Sequence, residues 1–327
     1  MKKALRITSL LLILVLILNI SGGLNIQAIQ ILQQKNVIVE INGKCDYTSI
    51  QEAIDNACEG ETILIKSGFY NETINIKKRI TLLGEDKNKT IINPISARNK
   101  YAIRLGSPNI IIKNLSISNG GPGLYTTGIK ITASNVKIED CNIYDTPVGI
   151  AIFTSGNIIK NCRFWGCKDE GIALIGSNYS ECIENEITNC IFHNNCDGIE
   201  LQYSSDNIIS NCEFFDNTHT GIDAISSSND RNKIINCNIY NNSVNGIYLH
   251  SSSGNQITDC MFSNNKDGDI VEVKCSIKNK IVNTNDEREV NSIKEMLVYL
   301  LNFFQKRFTK ARIFINSIFN KYKDLCF

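Results

Sequence analysis

The sequence predicts an all-β protein folded as a parallel β-helix, and three columns of residues predict it. Six glycines, Gly128, Gly149, Gly171, Gly198, Gly221 and Gly246, recur 21 to 27 residues apart, each followed by isoleucine. Two residues beyond those isoleucines stands a second apolar column: Ile131, Ile152, Leu174, Leu201, Ala224 and Leu249. Later in each copy comes a cysteine (Cys141, Cys162, Cys190, Cys212, Cys237, Cys260), with isoleucine three residues before it and Ile or Phe two after. Self-similarity at this period marks a stacked repeat. The unit is too short for two helices, and its apolar positions alternate with polar ones as in strands. Three short strands per rung, bent at Gly and at Asn, Asp and Ser clusters, pair with the next rung by parallel hydrogen bonds about 4.8 Å apart.

The 327 residues carry a net charge of +1, which gives no reason to expect nucleic acid. Lys2, Lys3 and Arg6 precede an apolar run, Leu10 to Leu18, so residues 1–28 read as an export signal. The run is shorter than the roughly 20 apolar residues of a membrane span. An uncleaved N-terminal anchor is the rival reading, since Ile20 and Leu24 extend the apolar character. Either way the β-helix, residues 45–275, sits outside the membrane. Within Thr48–Ala57 the pattern is helical, with Ile50, Ala53, Ile54 and Ala57 on one face and a Ser49/Glu52 capping box. Such a helix covers the open end of the first rung. Less regular rungs follow, giving about nine in all before the repeat decays past Asp267. Residues 276–290 read as a linker, and 291–325 as a basic amphipathic helix. That helix either covers the last rung or lies on an anionic membrane surface.

Thirteen cysteines in an exported chain would ordinarily form disulfides. Six of them, however, share one stacked column, where a buried thiol acts as a small hydrophobe. They are read as a core ladder of free thiols, with a soft-metal chain as the lesser alternative. Cys167, Cys182 and Cys196 fall outside the ladder, free to pair. Two asparagine-rich columns also recur, one just before each cysteine and one at Asn195, Asn217, Asn242 and Asn265. Which of them faces inward stays open.

Chemistry is expected on outward positions. The fourth to sixth rungs place Glu200, Asp223 and Tyr248 two residues after their glycines, and Gln202 and His250 four after. Glu200 and Asp223 should be neighbours on adjacent strands, a pair that repels unless a cation or proton intervenes. Such a pair suits Ca²⁺, or the acid and nucleophile of retaining sugar hydrolysis, with His250 as a further base. Arg231, in the longer fifth rung, is placed to wall a groove. Tyr144, Trp165 and Tyr240 belong to an outward aromatic row that would offer ring faces to sugars.

Besides these repeats, the entry phrase TSIQEAIDNACEGETILIKSGFYNETINIKKRITLLGE at 48–85 makes residues 45–275 resemble the right-handed parallel β-helix, pectate-lyase-like superfamily, most closely its NosD-type branch. The resemblance implies an exported or cell-surface protein that engages polysaccharide or a surface glycan, with or without acting on it, and, if it is an enzyme, a lyase or hydrolase that cleaves or modifies it. Its alternatives are a non-catalytic adhesin and a NosD-like accessory for copper-enzyme maturation. The chain lacks the superfamily's paired-Asp polygalacturonase phrase, its Gly-His-Gly and its lyase Arg motif, so the fold follows more firmly than the activity.

Overall fold

The computed structural model describes residues 37–284, apart from 95–99, 119–122, 124–125, 181, 226–227, 275 and 283. The expected export signal and the helix at 291–325 lie outside that range. Three sheets, all parallel, run the length of the molecule with eleven, nine and nine strands. The first begins at Val37–Val39, the second at Gly68–Tyr70 and the third at Ile74–Ile76. Successive turns contribute one strand to each, making a solenoid of about ten turns. Strand Lys280–Val282 pairs with Gln256–Thr258, so the first sheet continues into the stretch read as a linker.

The expected helix forms over Ile50–Asn56 and buries Ile50, Ala53 and Ile54 in the core. Ser49 caps it, its side chain accepting from the Glu52 N–H. The Glu72 carboxylate, 22 residues away in sequence, also accepts from the Ile50 and Gln51 N–H groups. A carboxylate at a helix N-terminus satisfies orphan donors and the helix dipole together.

Inside, equivalent residues stack from rung to rung. Phe164, Phe192 and Phe214 lie face to face, ring centroids 4.7 and 4.8 Å apart. The repeat glycines are required by this column rather than by a special φ. A Cβ on Gly198 would stand 2.5 Å from both Phe214 Cδ1 and the Gly221 carbonyl oxygen. Of the two asparagine columns, Asn195, Asn217, Asn242 and Asn265 lie inside. Each Oδ1 from Asn217 onward accepts from the backbone N–H and side-chain Nδ2 of the previous rung. The other column, Asp140, Asn161, Asn189, Asn211, Asn236 and Asp259, is half-buried to exposed at φ between 51° and 56°. Asn and Asp tolerate that left-handed corner better than other non-glycine residues. A second inner ladder, Asn157, Asn185, Asn207, Asn232, Asn255 and Asn279, was not expected.

The left-handed corner also explains the cysteines. Each column thiol donates to the carbonyl two residues earlier, from Cys141 to Glu139 O at 3.1 Å through Cys260 to Thr258 O at 3.4 Å. All six are buried, and all eleven described cysteines, Cys167, Cys182 and Cys196 included, are free. Burial pushes the thiols of Cys141, Cys162 and Cys190 well above their usual range, which disfavours the thiolate that soft metals require. Because all six are buried, they should resist alkylation in the native protein and react after denaturation without reductant. Disulfide-linked column cysteines in a mass map would contradict this packing.

Candidate functional site

Glu200 and Asp223 are direct partners on adjacent strands of the third sheet, as the repeat alignment requires. Their carboxyl groups nonetheless turn to different company. Glu200 Oε1 accepts from Gln202 Nε2 at 2.7 Å, and the Glu170 carboxyl of the preceding rung lies beside the Glu200 carboxyl. Asp223 instead faces His219, whose Nδ1 lies 3.8 Å from Asp223 Oδ2 and 2.8 Å from Asp197 Oδ1. Asp197 Oδ1 also accepts from the Thr220 N–H at 2.7 Å. Tyr248 follows Asp223 on the next rung.

The site is thus four carboxylates and an imidazole on the outer face of one sheet. Glu170 and Asp197 occupy the position just before Gly171 and Gly198, where simple alternation counted from the glycine would point inward. The glycine itself faces the inner Phe column and the following isoleucine is also inward. Two successive inward positions break the two-residue period, so the residue before the glycine turns out. Asp197, just before Gly198, reads from the sequence as the edge of this face; Glu170, at the same offset before Gly171, was missed because alternation from the glycine points it inward.

Glu170 is 6%, Asp197 5% and Asp223 3% exposed, and among the described residues no lysine or arginine pairs with these acids or with Glu200. Burial, then the Glu200 charge, pushes the Glu170 carboxyl up to about 9. Burial, with Asp197 beside it, raises Asp223 to about 7. Burial also raises Glu200 and Asp197, the latter opposed by His219. Alongside these acids lies a small apolar patch, Val148, Ala151 and Ala173 with Ile175 against it, separate from the main core.

These shifts fix the sign of a pH effect. The folded protein holds protons on Glu170 and Asp223 that the unfolded chain releases near pH 4, so stability falls as pH rises from about 4 through 7 for Asp223 and on to 9 for Glu170. The double variant Glu170→Gln, Asp223→Asn should gain melting temperature over the parent at pH 8.5 and much less at pH 5, with chelator present. An equal gain at both pH values would contradict the shifts.

Other expected site residues are placed apart. His250 neighbours Val273 and tilts against Tyr248, ring centroids 6.3 Å apart; the histidine that meets the acids is His219. Arg231 is held by Asp206 through a two-point ion pair at 2.9 and 2.6 Å. The aromatic row also differs from expectation. Tyr144, Trp165, His193, Phe215 and Tyr240 stack on one another at interplanar angles of 4° to 8°. Their faces cover each other and mostly edges meet solvent, because parallel rungs bring equivalent rings into register. Trp165 also borders an open depression with Lys87, Asn88, Asn142, Arg163 and Asn189, which contains none of the four acids.

The family model for the right handed beta helix region matches residues 16–186, 80–229 and 127–286 in overlapping passes. A cell surface glycoprotein of Methanothermus fervidus is 28% identical over 134 residues, 39% of this chain and 21% of that protein. Probable pectinesterase 67 of Arabidopsis thaliana is 28% identical over 120 residues, 33% of this chain and 34% of that protein. The chain therefore matches about a fifth and a third of these relatives' lengths. Among solved structures, an alginate lyase from Paenibacillus superposes with a TM-score of 0.57 at 16% identity, covering 71% of this chain and 92% of that one. Pectate lyase Pel9A superposes with a TM-score of 0.53 at 14% identity, covering 77% and 78%. At these identities the shared property is the fold.

Proposed function

The chain belongs to the right-handed β-helix family, and from that premise we propose that it is an exported or surface-attached protein that binds polysaccharide across the outer face of the third sheet and cleaves it there. The observation that carries this reading is the carboxylate rank, Glu170, Asp197, Glu200 and Asp223, set on consecutive rungs on the outer side of one sheet. A polymer laid along the solenoid meets equivalent positions rung after rung, so binding is additive along its length. Burial and the neighbouring Glu200 raise the Glu170 carboxyl to about 9, so it can give a proton at neutral pH, as the acid of glycosidic cleavage does. The relatives named for pectinesterase and cell-surface roles support the substrate class and the surface location.

The test is incubation of the full chain with a panel of neutral and acidic polysaccharides, reading new reducing ends and unsaturated products. Product from any member supports cleavage. Affinity without product from the whole panel favours the adhesin reading, which the surface-glycoprotein relative supports, and neither affinity nor product removes polysaccharide altogether. If Ca²⁺ bridges Glu200 and Asp223 to an acidic sugar, chelation should abolish affinity for acidic members alone.

A further inference from the structure

We infer that Asp197, His219 and Asp223 form a binding site for a divalent first-row transition-metal ion. The three residues come from two successive rungs: Asp197 precedes one repeat glycine, His219 stands at the entry to the next strand, and Asp223 lies two residues past that strand's glycine. Each offers one ligand atom, and these atoms all lie within 4.8 Å of one another. His219 Nδ1 stands between the two carboxylates, 2.8 Å from Asp197 Oδ1 and 3.8 Å from Asp223 Oδ2.

A second observation points to a cation. Asp223 is 3% exposed, and its Oδ1 is buried with no hydrogen-bond partner. Once the Asp223 proton leaves, this oxygen is an acceptor only, satisfied by a donor or by a positive ion. His219 is the one basic side chain in contact with the two acids among the described residues. A divalent ion supplies the missing charge and a ligand bond to Asp223 at once.

The donor set selects the ion. One imidazole with two carboxylates suits Zn²⁺, Co²⁺ or Fe²⁺, whereas Ca²⁺ and Mg²⁺ take oxygen ligands throughout. The His219 side chain is 44% exposed, which leaves the solvent side of the ion open to water or a further ligand. The site shares Asp223 with a Glu200–Asp223 calcium pair but not Glu200, which turns away to Gln202. It does not depend on the polysaccharide reading.

Co²⁺ is the probe. Titrated into the chelator-washed full chain, it should bind one-to-one and show the weak visible bands of nitrogen and oxygen ligation, without intense thiolate charge transfer. Zn²⁺ should displace it and Ca²⁺ should not. His219→Ala and the isosteric Asp223→Asn, each checked for retained β circular dichroism, should weaken binding at least about tenfold. Glu200→Gln should leave it unchanged. Absence of the bands overturns the site. Charge-transfer bands that survive His219→Ala would place the ion on cysteine, and displacement by Ca²⁺ with His219→Ala unaffected would place it on carboxylates alone; either overturns it. No sugar is present, so failure here leaves the proposed function standing, and failure to process polysaccharide leaves this site standing.

Discussion

Phe214→Ala is expected to cost about 3–5 kcal/mol of stability in urea unfolding, the range for emptying a buried phenyl site. Phe214 is fully buried, stacked 4.8 Å from Phe192, and its ring edge fills the space that Gly198 leaves by having no Cβ. Stacked rungs cannot collapse into that void independently, since each backbone is held to its neighbours by parallel hydrogen bonds. The adjacent Phe215 is the control. It points outward, half-buried, with His193 and Tyr240 stacked 5.1 and 5.0 Å away. Phe215→Ala should lose little beyond those ring contacts, about 0.5–1.5 kcal/mol for each. Equal or reversed costs would mean that the side chains of this strand face the other way.

This contrast shows why the fold was legible. Parallel stacking makes one rung's solution serve every rung, so the requirements for Phe214, Gly198 and Cys212 recur as columns that survive substitution of their neighbours. Even the unexpected inner ladder is written plainly, with Asn157, Asn185, Asn207, Asn232 and Asn255 each two residues before a core isoleucine. The site was only half legible. Backbone register placed Glu200 beside Asp223 correctly, but side-chain direction is decided by local partners. Gln202 and Glu170 draw Glu200 one way and His219 holds Asp223 the other. The stacking within the aromatic row has a related cause. Repetition aligns rings as well as backbones, and aligned rings stack on each other before they stack on a ligand.

Glu170→Gln is expected to abolish about 10²–10⁴-fold of any polysaccharide-cleaving rate, the range for one general acid, while leaving the fold intact. The side chain is 6% exposed and raised to about 9, so it is neutral at pH 7 in the parent protein. Glutamine matches that neutral form in shape and still donates to Glu200, but it has no proton to give. Stability at pH 7 should therefore hold or rise, because a potential buried charge has been removed. Glu200→Gln tests the other half of the pair. After burial, the Glu200 charge is the next cause that lifts Glu170, so in this variant the Glu170 carboxyl should titrate lower and the pH dependence of the melting temperature should move to lower pH. Cleavage that persists at full rate in Glu170→Gln would remove Glu170 as the acid. A loss matched by unfolding would show that the residue is structural, and the rate and melting measurements together separate these outcomes.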